Sequence, residues 1–187
     1  MNYFRVALAA VFGVLFQSNV MAADIETSAE FAYVTDFASG KVLMDKDPDS
    51  PMKPASMAKI MTVYVAFQRI ADGSLSLDDA FLISEKAWRK GGSKTFVEVG
   101  KQVAVRDLLM GVVVQSGNDA AIAIAEGISG TESGFAEEMN YVARQLGMTN
   151  TVFKNATGWP DPDQVTTARD LNTVSYTHLR AHETTDN

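Results

Sequence analysis

Residues 57–71 constrain this chain most. Met57, Ile60, Met61, Tyr64 and Ala71 recur at three- and four-residue intervals, Val65, Phe67 and Ile70 widen the stripe, and Gly73 follows as a stop signal. That pattern predicts a helix with a broad apolar face, and a face so broad has to be buried against other elements, so the helix is expected to be central. At its head stands Pro54-Ala55-Ser56-Met57-Ala58-Lys59, with a serine and a lysine three residues apart. Such positions share a helix face, which puts the Lys59 amine within reach of the Ser56 hydroxyl, able to take its proton during attack on a carbonyl. Pro54 suits the approach to a helix start, where unpaired N–H groups favour developing negative charge. Ser56 as a plain helix cap, with Lys59 running out to solvent, uses the same two residues without chemistry. Ser50-Pro51-Met52-Lys53 has the same spacing, but Pro51 within it and Pro54 after it oppose a helix.

The remaining nucleophile and base chemistry is narrow. Cysteine is absent, and His178 and His182 both fall in the last ten residues. A cysteine nucleophile is excluded, and a Ser-His-Asp triad has to draw on the extreme C-terminus. Lysine is therefore the natural base for a serine acyl-transfer enzyme. His178 and His182 are four apart with Glu183 following, but the order is not His-Glu-x-x-His and no third ligand is evident, so neither a metal nor a cofactor is expected.

The N-terminus reads as a secretory signal over residues 1–22: Arg5 gives the charged region, Val6 to Phe16 the apolar core, and Val20-Met21-Ala22 the cleavage site. An exported protein follows from that, with an uncleaved anchor as the alternative, and no transmembrane segment comes after it. A formal net charge of −7 argues against nucleic acid or an anionic membrane surface as partner. Without cysteine there is no disulfide framework, and the domain must rely on its core.

Phe31 to Phe37 and Lys41 to Asp45 flank Ala38-Ser39-Gly40, which predicts a hairpin in need of further strands or a covering helix. Residues 81–101 are mixed. Val105 to Val114 and Asn118 to Ile128 read as helices, and Phe135, Met139, Val142 and Leu146 mark one face of another that Gly147 ends. Ser116-Gly117-Asn118 lies at the junction of two of these helices. Asn118 can hold a substrate carbonyl there and Ser116 can pass a proton; a simple turn with a capping side chain is the other reading. Further on, Thr167 and Asp170 read as a capping box opening a helix through Val174, after which the apolar pattern stops. The string SYTHLRAHET resembles translated sequencing-adapter read-through, so residues 175–187 are read as a non-native tail that carries both histidines.

The runs PASMAKIMTVYVAF, GGSKTF, DLLMGVVVQSGNDAAIAIAE and LGMTNTVFKNATGWPDPDQVTTARDL, in that order, resemble the serine D-alanyl-D-alanine carboxypeptidases among the low-molecular-mass penicillin-binding proteins. The resemblance makes residues 23–174 a partial catalytic domain. It implies an α/β (α+β) fold of the penicillin-binding protein/β-lactamase-like transpeptidase type, a helical cluster against an antiparallel sheet, incomplete in this chain. Ser-x-x-Lys and Ser-x-Asn motifs of these enzymes map onto Ser56/Lys59 and Ser116/Asn118. The resemblance then implies that Ser56 attacks the penultimate D-alanine carbonyl of a peptidoglycan stem peptide, with Lys59 as base, Ser116 as proton relay and Asn118 holding substrate, in the periplasm. It implies too that β-lactam antibiotics acylate the same serine. The third motif, Lys-Thr-Gly, does not occur after Ser116, and Lys94-Thr95-Phe96 precedes it and lacks the glycine. The family's C-terminal β-domain and membrane anchor are likewise not present in this chain, which is therefore expected to be inactive by itself. A class A β-lactamase and a non-catalytic wall-binding protein of the same fold are the competing readings.

Overall fold

The chain enters as a hairpin and then wraps helices around one another, as seen in a computed structural model that describes residues 26–183. The leader expected over residues 1–22 lies outside the described residues. The elements are β1 (Ala32–Thr35), β2 (Val42–Lys46), a 3₁₀ turn (Ala55–Met57), α1 (Ala58–Ala71), β3 (Ala80–Leu82), α2 (Glu85–Arg89), β4 (Gln102–Ala104), α3 (Val105–Gln115), α4 (Asn118–Ser129), α5 (Glu132–Gln145) and α6 (Ala168–Glu183). No helix among the described residues is long and apolar enough to cross a membrane.

The expected first hairpin forms, with Tyr33 opposite Asp45 and Val34 opposite Met44, and Gly40 takes the left-handed turn position at φ +70°. Among the described residues it remains a two-stranded sheet, and Val34, Val42 and Leu43 stay exposed on it. Helix α6 steadies the hairpin. Arg169 pairs with Asp49 and lies over the Tyr33 ring, and Tyr176 meets Phe37 edge-on. The mixed stretch holds the short helix α2 and is bracketed by a second antiparallel pair, β3 with β4, whose three-residue strands are too short to print an alternation.

The core has two apolar clusters with α1 between them. On one side Val63 and Ala66 of α1 pack with Val105, Leu108 and Val112 of α3 and with Ala120 to Ile124 of α4. On the other, Met61 and Val65 meet Phe135, Met139 and Val142 of α5, the face that the spacing marked. Alanine-rich α4 lets its neighbours approach closely: a Cβ at Gly127 would stand 2.2 Å from the Phe81 ring.

Two sequence expectations fail at α6. Thr167 Oγ1 does accept the Asp170 N–H, but the Asp170 carboxylate turns away to accept the Asn150 N–H at 2.9 Å and the Thr151 hydroxyl at 2.7 Å. A tertiary tie has replaced half of the capping box. The helix also runs past Val174 to Glu183. Ser175 and Thr177 bond back to the Leu171 and Thr173 carbonyls, and His178 packs edge-on against Tyr64 and beside Phe67, so a polar stretch keeps its helical form without a continuous apolar stripe. The side chain of His182 lies outside the described residues.

Candidate active site

The approach to α1 is built from backbone pairing rather than from a cap. Met52 exchanges both backbone hydrogen bonds with Thr166, at 2.8 and 2.9 Å, and so arrives extended. The Lys53 ammonium then donates to the carbonyls of Asp161, Pro162 and Gln164. The earlier Ser-x-x-Lys copy is thus a clamp on a distant turn. Ala55 follows in the left-handed region at φ +45°, an arrangement that costs a residue with a Cβ about 1–3 kcal/mol and is found where the surroundings over-determine it.

Those surroundings are the 155–159 loop. Asn155 Oδ1 accepts from the Thr157 N–H, the Thr157 hydroxyl and the Trp159 N–H, while its amide donates to the Trp159 carbonyl. Thr62 of α1 donates to the Ala156 carbonyl at 2.7 Å, and Gln164 also holds the Trp159 carbonyl. Gly158 is pressed against the serine: a Cβ there would lie 1.6 Å from the Ala55 carbonyl oxygen and 3.1 Å from the Ser56 nitrogen. Its φ of +77° excludes a side chain for a second reason. Gly158→Ala is expected to lower the melting temperature by about 4 °C or more, because the loop must back away from α1. A parental melting temperature would show that the contact is dispensable.

Lys59 sits in the resulting crease. Its ammonium lies 3.1 Å from Ser56 Oγ and 2.9 Å from the Thr157 carbonyl oxygen, with 4% of the residue exposed. Both contacts are to neutral oxygens. Burial therefore acts without a countercharge in contact and pushes the amine from 10.5 down to about 8. Lys59 does not run out to solvent, and the Ser56 side chain makes no cap bond at the helix start. Ser56 lines both a cleft of about 630 Å³, shared with Asn118, Thr157, Gly158 and Trp159, and a smaller apolar groove of about 250 Å³ between α1 and α3 that Lys59 and His178 also line.

Asn118 opens α4 on the far wall of the cleft. Its N–H donates to the Ser93 carbonyl and its side-chain amide to the Gly91 carbonyl, both at 2.8 Å. Ser116 ends α3 in the left-handed conformation, φ +55°. Its hydroxyl has no hydrogen bond to Ser56 or Lys59 among the described residues, and it is not one of the cleft-lining groups. So three of the four residues singled out by sequence converge, and Ser116 stands at the turn beside them. Sequence reasoning missed Thr157, Gly158 and Trp159, whose ring carries the Lys90 ammonium 4.1 Å above its centroid. Among the described residues no group of three or more acidic or histidine side chains could hold a metal ion.

A serine hydroxyl at a helix start, hydrogen-bonded to a buried lysine whose amine is held at about 8, has the make-up of a serine–lysine acyl-transfer pair. The family model for D-alanyl-D-alanine carboxypeptidase (peptidase S11) matches residues 17–186, and the chain belongs to this family. Over 142 residues it is 42% identical to D-alanyl-D-alanine carboxypeptidase DacC of Escherichia coli K12, covering 73% of this chain and 36% of that protein. Among solved structures it resembles D-alanyl-D-alanine carboxypeptidase DacD from Francisella tularensis, with TM-score 0.83, 41% identity and coverage of 86% of this chain and 39% of that one. Penicillin binding protein 5 from Haemophilus influenzae is similar at TM-score 0.82 and 36% identity, over 86% of this chain and 48% of that one. The fold is thus that of the penicillin-binding proteins, in part: the chain spans about two fifths of the length of the first curated relatives it matches.

Proposed function

We propose that this sequence supplies the nucleophile and base of an exported serine D-alanyl-D-alanine carboxypeptidase acting on peptidoglycan stem peptides in the periplasm, at the outer face of the cytoplasmic membrane. The observation that carries the reading is the Ser56–Lys59–Thr157 arrangement. Neutral Lys59 takes the Ser56 proton as Oγ attacks the carbonyl of the penultimate D-alanine, and the Ser56 N–H at the helix start donates to the oxyanion. Asn118 holds the peptide across the cleft. Ser116 returns the proton to the leaving amine once substrate fills the gap between them, the C–N bond breaks, and D-alanine departs. Water then hydrolyses the ester on Ser56. A β-lactam acylates the same oxygen, and nucleic acid has no part in this scheme. The strand bearing the third motif, with a second oxyanion donor, is proposed to come from sequence not in this chain, which alone is expected to be inactive. Residues 175–187 are proposed to be foreign to the gene, which resequencing of the source locus decides.

A β-lactamase needs a free carboxylate to speed deacylation. Asp161 lines the cleft, but its Oδ1 accepts the Asp163 N–H at 2.9 Å and is committed to the turn. The test is to extend the protein through the downstream sequence of its own gene. D-alanine release from a pentapeptide ending in D-Ala-D-Ala, with a penicillin acyl-enzyme lasting minutes, is the expected result; rapid penicillin turnover points to a lactamase and neither activity to a wall-binding protein. Because the base must be unprotonated, acylation should rise about tenfold per pH unit below the Lys59 pKa of about 8 and level off above it. A flat profile between about pH 6 and pH 9 contradicts the lysine base.

A further inference from the structure

We infer that Asp119 is a positioning residue for Asn118: its carboxylate holds segment 91–97 in an unfavourable shape, and that segment aims the Asn118 side chain across the cleft. The inference rests on the proposed role of Asn118 in binding substrate. Asp119 is fully buried at the second position of α4. Its Oδ1 accepts the N–H groups of Thr95 at 2.8 Å and Ala120 at 2.9 Å, and its Oδ2 those of Phe96 at 2.9 Å and Val97 at 3.4 Å. Four amide donors thus converge on one buried carboxylate, with no ion pair to it among the described residues.

The segment needs such a fastening. Phe96 has φ +63° and a side chain left 80% exposed, two unfavourable features at one residue. Thr95 Oγ1 is buried with no hydrogen-bond partner, and it fits only because a Cβ at Gly111 or Gly117 is missing, each of which would come within 2.4 or 2.1 Å of it. At the other end of the segment the Gly91 and Ser93 carbonyls hold the Asn118 side chain and backbone. Gly92, at φ +77°, passes so close that a Cβ would meet Asn118 Nδ2 at 2.8 Å. Asn118 and Asp119 are thus two adjacent stitches in one seam, and undoing the second loosens the carbonyls that set the first.

The experiment measures saturation kinetics of penicillin acylation in the extended protein, which separates the initial dissociation constant from the acylation step, alongside amide exchange at residues 95–97. Asp119→Asn keeps the size but replaces one acceptor oxygen with a donor. It should raise the dissociation constant about tenfold or more, change the acylation step less than threefold or so, leave its pH midpoint in place, and speed exchange of the three amides. Phe96→Gly accepts φ +63° without steric cost, so the segment needs less fastening, and adding it to Asp119→Asn should recover about threefold of the lost binding. Where Asp119→Asn alone does not fold, the pair is compared with Phe96→Gly instead, and equal binding of the two overturns the inference. A parental dissociation constant in folded Asp119→Asn, no recovery in the pair, or a loss confined to the acylation step overturns it as well. If the functional reading itself is wrong, the unaltered protein will not acylate at all, which keeps the two failures apart.

Discussion

Ser56→Ala, in the protein extended through its own downstream sequence, will take up no covalent penicillin and release D-alanine more slowly by about 10⁴-fold or more. The expectation is this large because the acyl group has nowhere else to go. Among the described residues the Lys59 ammonium bonds no other hydroxyl, and a second nucleophile has to have both a base at bonding distance and a donor such as the Ser56 N–H for the oxyanion. The substitution removes an exposed oxygen that caps nothing, so the fold should be unaffected and the melting temperature close to parental. Gel fluorescence with a labelled penicillin reads the result directly, and a labelled alanine variant means another residue is the nucleophile.

Lys59→Arg should cost about 10²- to 10⁴-fold in acylation. A guanidinium can still donate to the Thr157 carbonyl, so positive charge and one hydrogen bond can survive, but it stays protonated at any working pH and cannot receive the serine proton. The lysine amine, held near 8 by burial, can. The comparison therefore separates a base from a fixed charge. Stopped-flow acylation at near-parental rate in the arginine variant would falsify the base assignment, and a rate that is low at all pH values, without the rise through 8, supports it.

What could be read from the sequence was whatever repeats along the chain. The stripe of α1 and the Phe135–Met139–Val142 face of α5 are periodic, and Met61, Tyr64 and Val65 meet that face in one cluster, whereas Met57 and Ala71 stay exposed and the other cluster draws on Val63 and Ala66, which the stripe did not mark. The Ser56–Lys59 hydrogen bond follows from helical spacing alone, and so does its distinction from Ser50 and Lys53, since proline forbids the helix. Contacts between distant stretches left no such trace. The second oxygen on Lys59 comes from 98 residues away, as a backbone carbonyl that any residue type could offer. Gly158 and Asp119 are legible only once their neighbours are known. In the sequence alone Asp119 is an acidic residue in a first helical turn like any other. The α6 reading erred for a related reason: the sequence showed the polar side chains but not that their hydroxyls fold back onto the helix that carries them.

Lys59 also weighs on the folding equilibrium. In the unfolded chain its amine binds a proton below about 10.5, whereas in the folded protein it does so only below about 8. As pH falls between those values the unfolded state alone gains the proton, so native stability declines across the window; below it both states are charged and the deficit stays constant. A displacement of that size corresponds to about 3 kcal/mol, a sizeable fraction of the margin by which a domain is stable. The amine proposed to make the hydroxyl reactive is thus a standing strain on the native state at neutral pH. Selection for a sturdier fold at this position, unopposed by selection for catalysis, would replace it with an apolar side chain.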